Sequence, residues 1–294
     1  MAASKANEDQ AAGLRQLNRS RPVRVICVTS GKGGVGKSNV TVNLAMALGK
    51  RQQNVLLLDA DLGLANVDVI LGLHPAYNLS HVLNGERTLE EVMVTASHGV
   101  RVIPASSGIK RMAELSQAEH AGVIGAFSEL SEPVDNLLID SAAGISDSVV
   151  TFSRAAQDVL VVVCDEPASI TDAYALIKLL SREHGVGRFR ILANRAASNQ
   201  EGRELFDKLL KVSDRFLDVT LDFLGAIPED PQLRKAVQSQ RAVVEAYPSS
   251  RSAVAFQRLA AQVETWPMPR QAGGHLQFFI ERLIQPAHPQ EMAL

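Results

Sequence analysis

The feature that most constrains this chain is the run Val25-Ile26-Cys27-Val28-Thr29-Ser30-Gly31-Lys32-Gly33-Gly34-Val35-Gly36-Lys37-Ser38. A β-rich apolar stretch breaks into a glycine-dense turn, and an amphipathic helical spacing (Val40, Leu44, Ala47, Leu48) follows at once. Residues 31–38 match the phosphate loop G-x-x-x-x-G-K-[ST] at every fixed position, between a strand and a helix as that loop requires. Glycines let backbone N–H groups converge on phosphate oxygens without Cβ clashes, and the helix N-terminus adds partial positive charge. Lys37 is placed to reach terminal phosphates and the Ser38 hydroxyl to bind Mg²⁺. Gly31, Lys32, Gly33, Gly34, Val35, Gly36, Lys37, Ser38 and Asn39 are therefore the first candidate nucleotide-binding residues.

The same glycines fit a second fingerprint. Gly31-x-Gly33-x-x-Gly36 reads as G-x-G-x-x-G, and Asp59 lies about twenty residues on, where a ribose-binding acid belongs. The glycines alone decide nothing between a dinucleotide and a triphosphate. Lys37-Ser38 directly after them, with the further acids Asp61 and Asp140, serves phosphoryl transfer and is unneeded for a dinucleotide.

At 294 residues, 46% of them hydrophobic and 21% charged, the chain has material for one large α/β domain or two small ones. A formal net charge of −2 disfavours a bulk electrostatic nucleic-acid binder, and no direct nucleic-acid partner is expected. Cys27 and Cys164 lie in separate apolar runs with no C-x-x-C, so buried reduced thiols are expected, and a zinc or iron–sulfur site built within one chain is not. The start of the chain has no apolar signal-peptide core, and no apolar run reaches transmembrane length. The expectation is a cytoplasmic protein, at most peripherally attached to a membrane.

Residues 1–24 read as a polar tail. Within it Asp9-Gln10-Ala11-Ala12-Gly13-Leu14-Arg15-Gln16-Leu17 sets Ala11, Leu14 and Leu17 on one helical side. Gly13 weakens that helix by about 1 kcal/mol. Such a segment is either a bland leader or a piece that orders on a partner. Over residues 25–265 near-continuous apolar runs alternate with helical ones. Residues 55–58 precede Asp59, residues 100–104 make a short strand, and residues 136–139 precede Asp140. Residues 159–164 precede Asp165-Glu166-Pro167, and residues 189–193 precede Asn194-Arg195. That order predicts an α/β fold: a mostly parallel sheet with helices on both faces, binding its ligand at the carboxyl edge of the strands. Pro and Gly mark residues 266–274 as a linker. In residues 275–294 a helical stripe of Leu276, Phe279, Ile280, Leu283 and Ile284, with Phe278 beside it, runs until Pro286 and Pro289.

Asp59 and Asp61 flank Ala60 at the end of one strand, and Asp140 ends another before Ala143 and Gly144. Carboxylates there can hold Mg²⁺, directly or through its waters, and orient an attacking water. For any one such acid, capping the next helix is the commoner role. A phosphate loop nearby turns the choice towards metal and water. Lys32, a second lysine inside the loop, is either a solvated charge or a cation delivered across a dimer to the partner's phosphates.

Together the residues resemble a family. Lys32-Gly33-Gly34-x-Gly36-Lys37-Ser38, Asp59-Ala-Asp61-Leu-Gly63-Leu-x-Asn66-x-Asp68 and Asp140-x-x-Ala143-Gly144 are similar to the deviant Walker A ATPases of the MinD/ParA group. The resemblance covers residues 22–250 and implies a P-loop fold that closes as a homodimer over two molecules of ATP with Mg²⁺. It implies that Lys32 acts in trans, that Asp61 orients the water, and that Asp59 lies in the magnesium shell. Asp140 becomes the switch carboxylate and Asn66 a switch residue. Asn194, Arg195, Pro228, Glu229 and Asp230 stand where the family encloses adenine, against the reading of an ordinary loop.

Within that group the chain resembles the MinD-like regulators of flagellar number and placement. Asp140-Ser-Ala-Ala-Gly-Ile-Ser-Asp147, Asp165-Glu-Pro-x-Ser169-Ile-Thr171-Asp172 and Phe216-Leu-Asp218-Val carry this likeness. It implies that Asp9, Gln10, Ala11, Leu14 and Arg15 form an activator segment for the flagellar GTPase FlhF. It also implies contact with a flagellar master transcription activator of the FleQ/FlrA type and, in some members, with C-ring proteins. The C-terminal stripe is then a membrane anchor in the ATP dimer, possible sites including the cell pole, and a helix docked on the body otherwise. Burying about 300 Å² of it at roughly 25 cal/mol/Å² gives at most about 7 kcal/mol before ordering costs. One copy therefore binds lipid weakly, and two on a dimer gain by effective concentration. The alternatives are a MinD-type division-site regulator, a ParA-type DNA segregation protein and a small-molecule kinase.

Overall fold

The computed structural model describes residues 22–61, 66–104, 125–127, 130, 132–267 and 280. The partner segment Asp9, Gln10, Ala11, Leu14 and Arg15 lies outside them, as do Leu276, Phe278, Phe279, Leu283 and Ile284.

Strands β1 (Arg24–Ser30), β2 (Val55–Ala60), β3 (Val94–Thr95), β4 (Arg101–Ile103), β5 (Asn136–Ala143), β6 (Asp158–Val163), β7 (Arg188–Ala196) and β8 (Thr220–Pro228) form one eight-stranded sheet. Its order is β3-β4-β2-β5-β1-β6-β7-β8, and every pairing is parallel except β3 with β4. The strand that feeds the phosphate loop is therefore central and covered on both faces. Alternation along β1 sends Ile26 and Val28 into one core layer and Val25 and Cys27 into the opposite one.

Helix α1 (Lys37–Lys50) follows the loop, and short helices α2 (Val67–Leu71), α3 (Leu79–Leu83) and α4 (Leu89–Val92) precede β3. After β5 come α5 (Asp147–Ala155), α6 (Pro167–His184), α7 (Asn199–Phe216), α8 (Pro231–Gln238), α9 (Val243–Ala246) and α10 (Arg251–Glu264). Leu44, Met46 and Leu48 of α1 share a core layer with Phe256 and Leu259 of α10. Phe152 of α5 packs in the second layer, and Leu176 of α6 with Leu205 of α7 in a third cluster beside β6 and β7.

β3 and β8 go beyond the strands read from the sequence. β3 is only two residues long. In β8 only Leu221, Leu224 and Ile227 are buried, and Gly225 interrupts the run, so no continuous apolar stretch announces it. The strands also run through the acids instead of stopping before them, with Asp59 inside β2 and Asp140 inside β5. Asn194 and Arg195 likewise lie within β7.

Trp266 packs on the body as more than the first residue of a linker. Its indole lies 3.6 Å from the Arg190 guanidinium, and its carbonyl accepts a 2.8 Å bond from Arg24. Ile280 is fully buried in the layer that holds Val25, Cys27 and Phe152, so this residue of the stripe faces the body. Cys27 and Cys164 are free and buried. Among the described residues no helix is long and apolar enough to cross a membrane.

Candidate functional site

The phosphate loop leaves β1 and enters α1 through Gly36, whose φ of 89° is left-handed. Among the described residues no side chain caps the start of α1, which leaves its first N–H groups open to an anion. Gly31 is required for another reason. A Cβ there would stand 2.2 Å from the Asp172 carbonyl carbon in the backbone of α6. The loop is thus pressed against a helix that a larger residue would displace.

Lys37 is nearly buried, and its Nζ donates to Asp140 Oδ1 at 2.8 Å. Ser38 Oγ lies 3.4 Å from the same Nζ, and Asp61 Oδ2 lies 3.7 Å from it. The Thr41 hydroxyl is 3.0 Å from both Asp140 Oδ1 and the Lys37 carbonyl, and donates to one or the other. Asp140 is fully buried, and its Oδ2 has no hydrogen-bond partner among the described residues. A buried, unpaired carboxylate oxygen beside a phosphate loop calls for a cation or a donor.

Register sets the acids side by side, since Asp59 of β2 pairs with Asp140 of β5. Asp59 Oδ1 accepts from the Asp61 N–H at 3.2 Å and Oδ2 from the Val67 N–H at 3.3 Å. Burial, and then the neighbouring Asp140 charge, push the Asp59 carboxyl up to about 7 against those hydrogen bonds and Lys37. Asn66 stands at the N-cap position of α2, the helix that supplies the Val67 N–H, and its side chain makes no capping bond among the described residues. On the other side Ser30 pairs with Ala143, and the Gly144 N–H donates to the Ser30 carbonyl at 2.8 Å. The end of β5 is thereby tied to the start of the phosphate loop.

Lys32 does not reach Lys37's partners. Its Nζ sits 2.6 Å from Glu166 Oε2 at the start of α6, and both side chains are substantially exposed. Their hydrogen bond, and then their opposite charges, hold Lys32 above and Glu166 below the usual ranges. Asn194 Nδ2 donates to the Val35 carbonyl at 2.7 Å, which steadies the loop from behind. Asn194 Oδ1 is buried without a partner among the described residues, as is Asn39 Oδ1. Arg195, exposed, has a left-handed φ of 58°. Pro228 ends β8, and the Glu229 N–H returns to the Ala196 carbonyl at 3.0 Å. Asp230 caps α8 through the Gln232 N–H and also accepts from the Ser252 N–H and hydroxyl.

These donors fit Mg²⁺ held jointly with phosphate. Ser38 Oγ and Asp140 Oδ2 are hard oxygens beside the loop, and Asp59 stands one strand over, suited to a metal-bound water. Among the described residues no group of three or more His, Cys, Asp and Glu side chains forms a metal cage, so substrate oxygens would complete the shell.

Residues 22–264 match the ParA family model, described as "NUBPL iron-transfer P-loop NTPase". The chain is 59% identical to the antiactivator FleN of Pseudomonas aeruginosa over 276 residues, 94% of this chain and 98% of that one. It belongs to the FleN/FlhG branch of the MinD/ParA P-loop family. The flagellum site-determining protein YlxH of Helicobacter pylori is 33% identical over 89% of this chain and 90% of its own. Among solved structures, MinD from Pyrococcus horikoshii, complexed with Mg-ADP, superposes with a TM-score of 0.64 at 27% identity. That match covers 83% of this chain and 96% of the other.

For a FleN/FlhG-type chain, the fold brings the phosphate-loop residues, Lys37, Ser38, Asp59, Asp61 and Asp140 into one site. Asn194 joins them through the loop carbonyl. The Asp230 side chain is spent on Ser252 and Gln232, so it ties the start of α8 to the start of α10. Sequence reasoning passed over Thr41 and Glu166. Thr41 follows Lys37 by one helical turn, a spacing that carries the signal. Glu166 meets Lys32 only through strand order, and no local pattern announces it.

Proposed function

We propose that this chain is a MinD-like ATPase switch that closes as a homodimer around ATP and Mg²⁺ and limits flagellar number and placement. The observation that carries the ATP reading is the buried Lys37 beside Asp140, whose second oxygen has no partner among the described residues. The flagellar reading is supported by similarity over most of the chain to a protein named as flagellum site-determining, and to one named as an antiactivator.

Lys37 binds the β- and γ-phosphates of its own ATP, and the loop N–H groups and the start of α1 orient them. Asp61 positions the attacking water. Lys32 leaves Glu166 and serves the partner's nucleotide. Ser38 and Asp140, with Asp59 behind, would hold Mg²⁺, which would supply positive charge to the phosphate oxygens. Asn66, Ala143 and Gly144 move with the γ-phosphate, and hydrolysis to ADP and phosphate returns the chain to monomer.

The dimer exposes the stripe of Leu276, Phe278, Phe279, Ile280, Leu283 and Ile284 to the inner leaflet, while Ile280 stays on the body in the monomer. Asp9, Gln10, Ala11, Leu14 and Arg15 engage the GTPase FlhF, and a FleQ/FlrA-type activator is the transcriptional partner. Sedimentation with a non-hydrolysable ATP analogue and with ADP tests the switch. Wild type and Asp61→Ala dimerise with triphosphate, while Lys32→Ala loses turnover. A chain that stays monomeric with every nucleotide refutes it.

A further inference from the structure

The sheet ends on β8, far from the phosphate loop in strand order. β8 pairs only with β7, so the outer row of its main-chain N–H and C=O groups has no neighbouring strand among the described residues. A groove of about 780 Å³ follows that edge, lined by Phe223, Leu224 and Gly225 of β8 and by residues of α7 and α10. Val254, Ala255 and Leu259 of α10 give it an apolar wall.

The charge in the groove has one sign. Arg203 of α7 and Arg251 and Arg258 of α10 line it, and among the described residues no carboxylate does. Arg203 lies over the Phe223 ring, 4.6 Å from its centroid, and Arg251 reaches the Ala197 carbonyl at 3.5 Å. An open strand edge is usually blunted, and here the register slips after Ile191, leaving Leu224 as a bulge before Gly225 with its φ of 113°. A bulged edge flanked by like charges disfavours long pairing with a second copy. It leaves room for a short strand of opposite charge.

We propose that the β8 edge is a docking site for a short, extended acidic segment of a partner protein. The segment adds as a ninth strand, with main-chain bonds to β8 and its carboxylates, all on one face, on Arg251 and Arg258 of α10. Its apolar side chains, at every second position, face the α7 side beside Phe223. The groove meets the candidate nucleotide residues only at Pro228, so docking is separable from ATP binding.

The test uses the full chain and a fluorescein-labelled, N-acetylated hexapeptide alternating glutamate with valine, followed by fluorescence anisotropy. Saturable binding is expected, weakened about tenfold by each of Arg251→Glu and Arg258→Glu, both at exposed positions. The lysine–valine peptide and a glutamate–valine peptide N-methylated at alternate amides fail to bind, and β8 amides gain hydrogen-exchange protection with the acidic peptide. Lack of saturation at millimolar peptide, equal binding by the double variant, or protection elsewhere overturns the proposal. Equal displacement by a thymidine hexanucleotide overturns it in favour of a general polyanion patch. Self-association abolished by the same charge reversals overturns it in favour of a second copy.

Discussion

Replacing Asn43 asks whether the phosphate-loop helix is held by polarity or by volume. The residue is buried in α1. Its Oδ1 accepts from the Val243 N–H at 2.7 Å and the Val244 N–H at 3.4 Å, 200 positions and more along the chain. Its Nδ2 donates to the Asn39 carbonyl at 2.8 Å. Helix α9 starts after Ala242, which has no side chain able to cap it, so Asn43 caps it from a distance. Losing a cap costs about 1 kcal/mol, and stranding a buried N–H costs about 1–3 kcal/mol. The first bond is short and the second long, so Asn43→Leu loses about 2–4 kcal/mol in all. For a chain of this size that lowers the melting midpoint by roughly 5–15 °C.

Urea unfolding reads the effect through Trp266, the single tryptophan, which is packed against Arg190. Leucine fills the volume without accepting a hydrogen bond, so Asn43→Leu and Asn43→Ala should both be destabilised. A leucine variant within about 0.5 kcal/mol of wild type refutes the capping argument. Leucine recovering most of what alanine loses would assign the position to packing instead.

Trp266→Ala removes the ring stacked on Arg190 and should cost about 3–5 kcal/mol, measured by circular dichroism in urea, with Trp266→Phe recovering much of it. Burial works against ionising Asp230, but the Ser252 N–H and hydroxyl and the Gln232 N–H overcome it and hold the carboxyl below its usual range. Its contribution to stability is therefore present above the unfolded value of about 4 and lost as pH falls through the lower folded one. Melting points from neutral to strongly acidic pH should show a smaller acid loss in Asp230→Asn than in wild type. Gly31→Ala meets the Asp172 backbone, which no rotamer change can relieve, and should cost about 1–3 kcal/mol or more together with nucleotide binding. Gly33→Ala, whose Cβ would meet nothing within 4 Å, should melt like wild type.

Some of this protein could be read without coordinates because its rules are local. A strand, a glycine turn and a helix start at fixed spacing make the phosphate loop of residues 31–38 wherever they occur. Long apolar runs with strand-terminal acids signal a parallel sheet with its ligand at one edge. Short or interrupted strands such as β3 and β8 send no comparable signal, because half their surface stays open to solvent.

Long-range register decided the rest. Asp59 stands beside Asp140 only because β2 and β5 align at those positions, and burial, then that neighbouring charge, push its carboxyl up to about 7. Lys32 meets Glu166, Asn43 meets Val243, and β8 is left as an edge through strand order and packing across both faces. The amino-acid sequence by itself determined which residues can hold phosphate, since that chemistry lies within one short stretch. Only the tertiary structure decided which charges neighbour one another, because residues distant along the chain meet through the sheet, and burial then sets the strength of each pair.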